Sequence, residues 1–242
     1  MPLLALLLIL ATAVAGCAAA PPTPPTPPTP PTPPTPPPPP VPSAVSSAGP
    51  RRPTPERPPA PVRAPYAASG AYAIAPGHAP PRPGRGPVVR YLVEVERGLP
   101  IDAGVFADEV HRILNDVRGW GRFRRVDRGP ARVRVALSSP RTTIRQCRPL
   151  RTGGQLSCWN GTRSIINARR WATGVPQYGG DLAAYRSYLI GHEVGHALGH
   201  HHRPCPGPGR LAPVMTQQSK SLGRCRPNPW PFPGRRPGDH DR

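Results

Sequence analysis

Carboxylates are scarce in this chain: 12 Asp and Glu stand against 32 Lys and Arg, for a formal charge of +20 over 242 residues. A field of that sign repels cationic partners, concentrates anionic ones such as acidic peptides, envelope polymers or lipid headgroups, and weakens with added salt. Lysine is nearly missing too, with Lys220 the single one. An arginine-rich, lysine-poor composition is also what a GC-rich genome writes, so charge alone names no ligand. The imbalance is local. Acids and bases balance at seven each from Val88 to Asp127, whereas Arg128 to Pro231 holds fifteen Arg and one Lys against only Asp181 and Glu193.

Long apolar runs are absent except at the amino end, where residues 3–15 are uncharged and apolar but for Thr12. Val14-Ala-Gly-Cys17 resembles the lipobox at which bacterial lipoprotein precursors are cleaved and lipidated on the cysteine. No Lys or Arg precedes the run, which departs from the positive start of an export signal. Counting on to Ala20 gives 18 uncharged residues, borderline for a spanning helix, so an uncleaved membrane anchor competes with a cleaved signal. Both readings export the remainder. The expectation is a signal peptide over 1–17, lipidation at Cys17, and a chain either anchored at the extracytoplasmic face of the membrane or secreted.

Most of the 43 prolines lie early. From Pro21 to Pro40 a PPT repeat lacks the amide donors that helix or sheet needs, which leaves polyproline II and a spacer of roughly 60 Å. Its aligned threonines stand either as O-glycosylation acceptors or as parts of a bare spacer. Residues 41–87 lack any sustained apolar period. The whole of 18–87 is therefore expected as a disordered, Pro-rich stalk, followed by a folded domain over 88–231 and a disordered tail over 232–242.

Cysteine usage agrees with export. Besides Cys17 there are Cys147, Cys158, Cys205 and Cys225, and four cysteines permit three pairings. Short loops favour Cys147 with Cys158 and Cys205 with Cys225, with a cysteine ligand for a metal as the alternative.

Between Gly191 and Arg203 the chain reads HEVGHALGHHH, which holds five of its eight histidines. On a helix, His192 and His196 stand one turn apart on one face, so both imidazoles can reach one ion, with Glu193 flanking them. Zn²⁺ held by neutral imidazoles lowers the pKa of a bound water to roughly 7, and the adjacent carboxylate can take its proton as that water attacks a carbonyl. Gly199 can take a left-handed conformation, end the helix and return the chain, which brings in His202 as third ligand. His200 and His201 are alternatives for that position. A histidine-rich surface tract that binds metal loosely is the competing interpretation; Glu193, the only glutamate after Glu109, argues against it.

The string from His192 to His202, H-E-x-x-H-x-x-G-x-x-H, resembles the long zinc signature of the metzincin metalloproteases. The resemblance implies a methionine-containing turn beneath the metal, for which Met215 in Ala212-Pro-Val-Met-Thr216 is the candidate. It also implies a strand bordering the cleft that pairs with extended substrate. The tyrosine that follows this turn in some metzincins is missing here, and no cysteine between Cys17 and the domain offers a thiol latency switch. Across Val88 to Pro231, with Tyr-Gly-Gly-Asp181, Cys-Pro-Gly-Pro208 and Cys-Arg-Pro-Asn-Pro-Trp230, the chain resembles an uncharacterised actinobacterial secreted family, domain of unknown function 3152. That resemblance implies a zinc peptidase-like domain and no particular substrate.

The rest of the domain reads as a mixed β-sheet packed on helices, an α+β, metzincin-like zincin with a central zinc helix. Val88–Val95 alternates as a half-buried strand, and Asp102 caps a helix with Phe106, Val110, Ile113 and Val117 as its apolar stripe. Strands follow at Arg122–Val126 and Ala131–Leu137. Asn160-Gly161 signals a hairpin between Leu156–Trp159 and Thr162–Ile166, and Asn160-Gly-Thr162 is also a glycosylation sequon. Asp181 caps the histidine helix, which runs to about Leu198. The leading expectation is an exported zinc endopeptidase acting on peptide or protein as a monomer, with Glu193 as general base and no nucleic acid as partner. The alternative is a zinc-stabilised module that binds anionic envelope polymers without catalysis; hydrolysis of a wall-derived peptide or amide is a third possibility.

Overall fold

The computed structural model describes residues 63–236 and Asp239. The expected signal peptide, the lipobox Cys17 and the PPT repeat lie outside the described residues. The described chain is α+β, with a six-stranded mixed sheet and four α-helices. The strands are β1 (Tyr72–Ile74), β2 (Val88–Glu96), β3 (Arg122–Arg125), β4 (Val133–Ser138), β5 (Cys158–Trp159) and β6 (Ser164–Asn167). The helices are α1 (Ala103–Leu114), α2 (Pro140–Gln146), α3 (Ala168–Thr173) and α4 (Leu182–Ala197).

β2, β4 and β6 run parallel through the middle of the sheet, and β5 closes one side antiparallel to β6. The other edge of β2 is shared: β3 lies parallel along Val88–Tyr91, and β1 lies antiparallel along Glu94–Glu96. β2 is expected to be half-buried by its alternation, yet Tyr91–Glu96 are all buried. Both faces are covered there, as inner parallel strands require. One face packs Tyr91, Val93 and Val95 with α1 and α4. The other carries Glu94, which pairs with Arg134 and Arg163, and Glu96.

Asp102 caps α1 by accepting from the Val105 amide at 2.8 Å. Phe106, Val110 and Ile113 are buried on the helix as expected. Val117 is only partly buried and lies beyond the helix, because Asn115 turns inward: its Oδ1 accepts from the Phe123 and Arg82 amides, and its amide donates to the Phe123 carbonyl. The hairpin is shifted from the expected position. Trp159 pairs with Ser164, so Gly161 and Thr162 form the two-residue loop, while the Asn160 side chain accepts from the Thr162 and Arg163 amides. Glycine at the first central position, with φ +92°, is what such a turn demands.

The largest departure from expectation is at the amino side. The segment before Val88 is expected as linker, but its described part docks on the sheet: β1 pairs with β2, and Ala75 is buried. The fully buried Glu96 carboxylate accepts from the Gly70 amide, the Ser139 amide and hydroxyl, and Thr142 Oγ1. Tyr72 shares a 2.6 Å hydrogen bond with Ser138. These ties run through backbone and polar groups, and apolar periodicity does not register them. At the far end, Phe232 lies past the expected boundary yet donates its amide to the Arg118 carbonyl and packs edge-on against Trp120. A chain beginning at Val88 should therefore unfold at lower urea than one beginning at Arg63, because Glu96 loses a buried partner and β2 an edge strand. Equal midpoints would show that the segment does not contribute.

Candidate metal centre

α4 carries the histidines, and its ends are both fixed by local chemistry. Asp181 accepts from the Ala184 amide at 2.8 Å as N-cap. At the other end Gly199, at φ +98°, donates to the His196 carbonyl while the His200 amide reaches the Gly195 carbonyl. That pair of bonds is the Schellman arrangement, which satisfies the last carbonyls and reverses the chain. His202 thereby returns toward the helix. Ligand atoms of His192, His196 and His202 all lie within 4.8 Å of one another, and the His196 and His202 Nε2 atoms are 3.1 Å apart.

The ring orientations are set from outside the triad. The Val214 carbonyl receives His192 Nδ1 at 2.8 Å, and the His200 carbonyl receives His196 Nδ1 at 2.8 Å. A carbonyl only accepts, so in the neutral ring each Nδ1 bears the proton and each Nε2 is left with a lone pair. Burial pushes the His192 imidazole down to about 3, and burial also lowers His196 and His202. Neutral imidazoles are what a metal needs. The donor set therefore fits a divalent ion, and among the described residues no fourth His, Cys, Asp or Glu joins it.

Beneath the helix runs the turn Ala212–Thr216. Met215 is buried against Gly195 so closely that a Cβ there would stand 2.6 Å from the Met215 sulfur and 3.1 Å from Trp120. One turn earlier, Gly191 offers its carbonyl to Trp120 Nε1 at 2.7 Å. Trp120 then stacks on His200, with ring centroids 4.0 Å apart, so it braces the residue whose carbonyl orients His196. On another side of α4, three tyrosines hold the chain after Met215. Tyr188 donates to the Thr216 carbonyl, Tyr178 to Gln218 Oε1, and Tyr185 shares a hydrogen bond with Ser219.

The triad opens into a cleft of about 260 Å³ whose lining includes Glu193, Tyr188, Trp159, Leu150, Arg151 and Lys220. β5 is the terminal strand in the sheet order and lines this cleft. Cys147–Cys158 ties α2 to β5, and Cys205–Cys225 brackets the Met215 turn; both pairings are the expected ones. On the chain-entropy model each contributes about 3 kcal/mol. Glu193 is 5% exposed, its carboxyl engages no described residue, and burial pushes it up to about 8. A cation beside it is the charge that restores the carboxylate.

Of the residues expected at the site, His192, Glu193, His196, Gly199, His202 and Met215 come together. His200 does not compete for the third position, because its ring faces Trp120, and His201 lies outside the cluster. Trp120, Gly195 and the three tyrosines escape the sequence. Gly195 alone carries a signal, as a glycine inside a helix that gives up propensity for close packing.

Gly195→Ala should destabilise the metal-free protein by about 1–2 kcal/mol, since overpacking against Met215 outweighs the helix propensity gained; denaturant unfolding measures it. Glu193 and His192 give opposite pH signatures in the metal-free protein. Glu193 holds a proton in the fold that the unfolded chain releases, so stability falls as pH rises from 4.5 to about 8. His192 stays neutral in the fold while the unfolded imidazole charges, so stability falls as pH drops from 6.5 toward about 3. Glu193→Gln should accordingly stabilise the metal-free protein by a few kcal/mol at pH 8 and by nothing below pH 4.5. Unfolding curves at the two pH values decide it.

No curated protein and no solved structure matches this chain. A family model described as protein of unknown function, DUF3152, matches residues 59–233. The match begins ahead of β1 and ends just past Phe232, so it takes in every strand and helix described and the whole histidine cluster. Covering well over half of the sequence, it places this chain in the DUF3152 family.

Proposed function

We propose that this protein is an exported zinc metallopeptidase of metzincin type. His192, His196 and His202 hold the ion, Glu193 moves the proton, and Met215 supports the site from beneath α4. One observation carries the reading: three imidazole nitrogens converge in a cleft that a buried, unengaged carboxyl also lines, bounded by a strand edge that is unpaired among the described residues. Three nitrogen donors with no fourth ligand among the described residues is the pattern of a catalytic zinc site.

Bound zinc supplies Lewis-acid polarisation of a water and of the scissile carbonyl. The ionised Glu193 accepts the proton of the attacking water and passes it to the leaving amine. Val214 and His200 hold two imidazoles in the tautomer that turns Nε2 inward. The outer edge of β5 offers backbone groups to an extended peptide. Two disulfides accord with an oxidising, extracytoplasmic setting, and among the described residues no helix is long and apolar enough to cross a membrane. Lipidation at Cys17 would tether the enzyme to the membrane face.

The arginine-rich surface favours a second reading, a zinc-stabilised module that grips anionic envelope polymers. Activity separates the two. The purified protein should contain one zinc, cleave peptides and lose cleavage to a chelator. Glu193→Gln should keep the zinc and lose about 10²–10⁴-fold in kcat; full activity in that variant discards the role of Glu193. Because burial lowers all three histidines, zinc should be released only below the ordinary imidazole range, as zinc content across a pH series would report.

A further inference from the structure

Resting on the peptidase reading, we propose that the substrate is an acidic peptide, with carboxylate side chains on both sides of the bond that is cleaved. The cleft continues into two hollows. One shares Leu150, Arg151 and Thr152 with it and adds Arg148. The other shares His202, Gln217 and Lys220 and adds Arg203. The two hollows have no lining residue in common, so they meet the cleft at separate places.

Each hollow carries a pair of cations, Arg148 with Arg151 and Arg203 with Lys220. All four side chains are exposed. None is in an ion pair with a described residue, whereas Glu94 engages Arg134 and Arg163, and Asp108 engages Arg125. Among the described residues, Glu193 is the only acid lining any of the three concavities. A concave path with one sign of charge focuses its field and raises the local concentration of the opposite charge. Three of the four cations are arginines, whose planar fork matches a carboxylate. Lys220, the chain's single lysine, sits beside His202.

A peptide fits this path better than a non-peptide polyanion. The outer edge of β5, unpaired among the described residues, can take an extended backbone as a further strand. Leu150, 58% exposed, and Trp159, 38% exposed, present apolar surface within the same cleft. A phosphate-rich polymer uses neither.

The test profiles cleavage of a mixed peptide library by the zinc-loaded full chain. Asp and Glu should be enriched within a few positions on both sides of the cleaved bond. For an acidic peptide, kcat/KM should fall as ionic strength rises. The ratio of kcat/KM for that peptide over a neutral analogue should drop at least about tenfold in Arg151→Glu and in Lys220→Glu, consistent with charge-pair couplings at interfaces. A library without acidic enrichment, or charge-reversed variants that keep the ratio, would overturn the proposal.

If no peptide is cleaved, the peptidase reading fails, and equilibrium binding to Glu193→Gln then judges the charge preference. Salt-sensitive binding of the acidic peptide over its neutral analogue, lost in the charge-reversed forms, upholds it. Equal binding of the two peptides overturns it, as does binding of inorganic polyphosphate where the acidic peptide does not bind.

Discussion

The contact between α4 and the turn Ala212–Thr216 is the constraint on which the site depends. The turn reaches the helix because Gly191 and Gly195 stand one helical turn apart and leave its surface bare. Met215 sulfur fills the hollow over Gly195, and the Val214 carbonyl accepts a hydrogen bond from His192 Nδ1. Beyond the turn, the Arg203 amide donates to the Met215 carbonyl, and Thr216 Oγ1 donates to the Arg203 carbonyl. His202 precedes Arg203 directly. One close approach thus orients the first histidine and fixes the chain that delivers the third.

Holding such a site costs stability. Glu193 is buried with no partner among the described residues, and His192 is kept neutral deep in the domain; each penalises the fold in a different pH range. Offsetting features surround them. The three tyrosines satisfy the chain after Met215, a disulfide brackets that chain, and α4 is buried along most of its length. A strained or desolvated group persists where neighbours over-determine it. Trp120 belongs to this support: it bonds the helix at Gly191 and stacks on His200, whose carbonyl in turn sets His196.

Charge is sorted by the fold in a way that composition conceals. On the sheet face away from α4, Glu94 gathers Arg134 and Arg163. Burial alone would raise the Glu94 carboxyl, but hydrogen bonds from these two arginines hold it below its usual range. Around the cleft the cations stay bare. With only Asp181 and Glu193 as acids between Arg128 and Pro231, the second half of the chain cannot neutralise itself. Four of its cations, Arg148, Arg151, Arg203 and Lys220, line the cleft and its two hollows.

Local chemistry was legible from residue order. Asp102 and Asp181 start helices because their carboxylates reach amides three residues on, and Gly199 stops one because it alone there tolerates a left-handed backbone. The spacing of His192, His196 and His202 is likewise a matter of helical pitch and a single turn. Short loops favoured the cysteine pairs that formed. Tertiary structure decided whatever depends on groups far apart in the chain. It docked the segment around β1 through hydrogen bonds to Glu96, brought Trp120 to the histidine helix, and set the chain after Met215 against Tyr178, Tyr185 and Tyr188. Those contacts join residues tens of positions apart through polar or backbone groups, which leave no period in a sequence. Their geometry exists only once the sheet and α4 have packed.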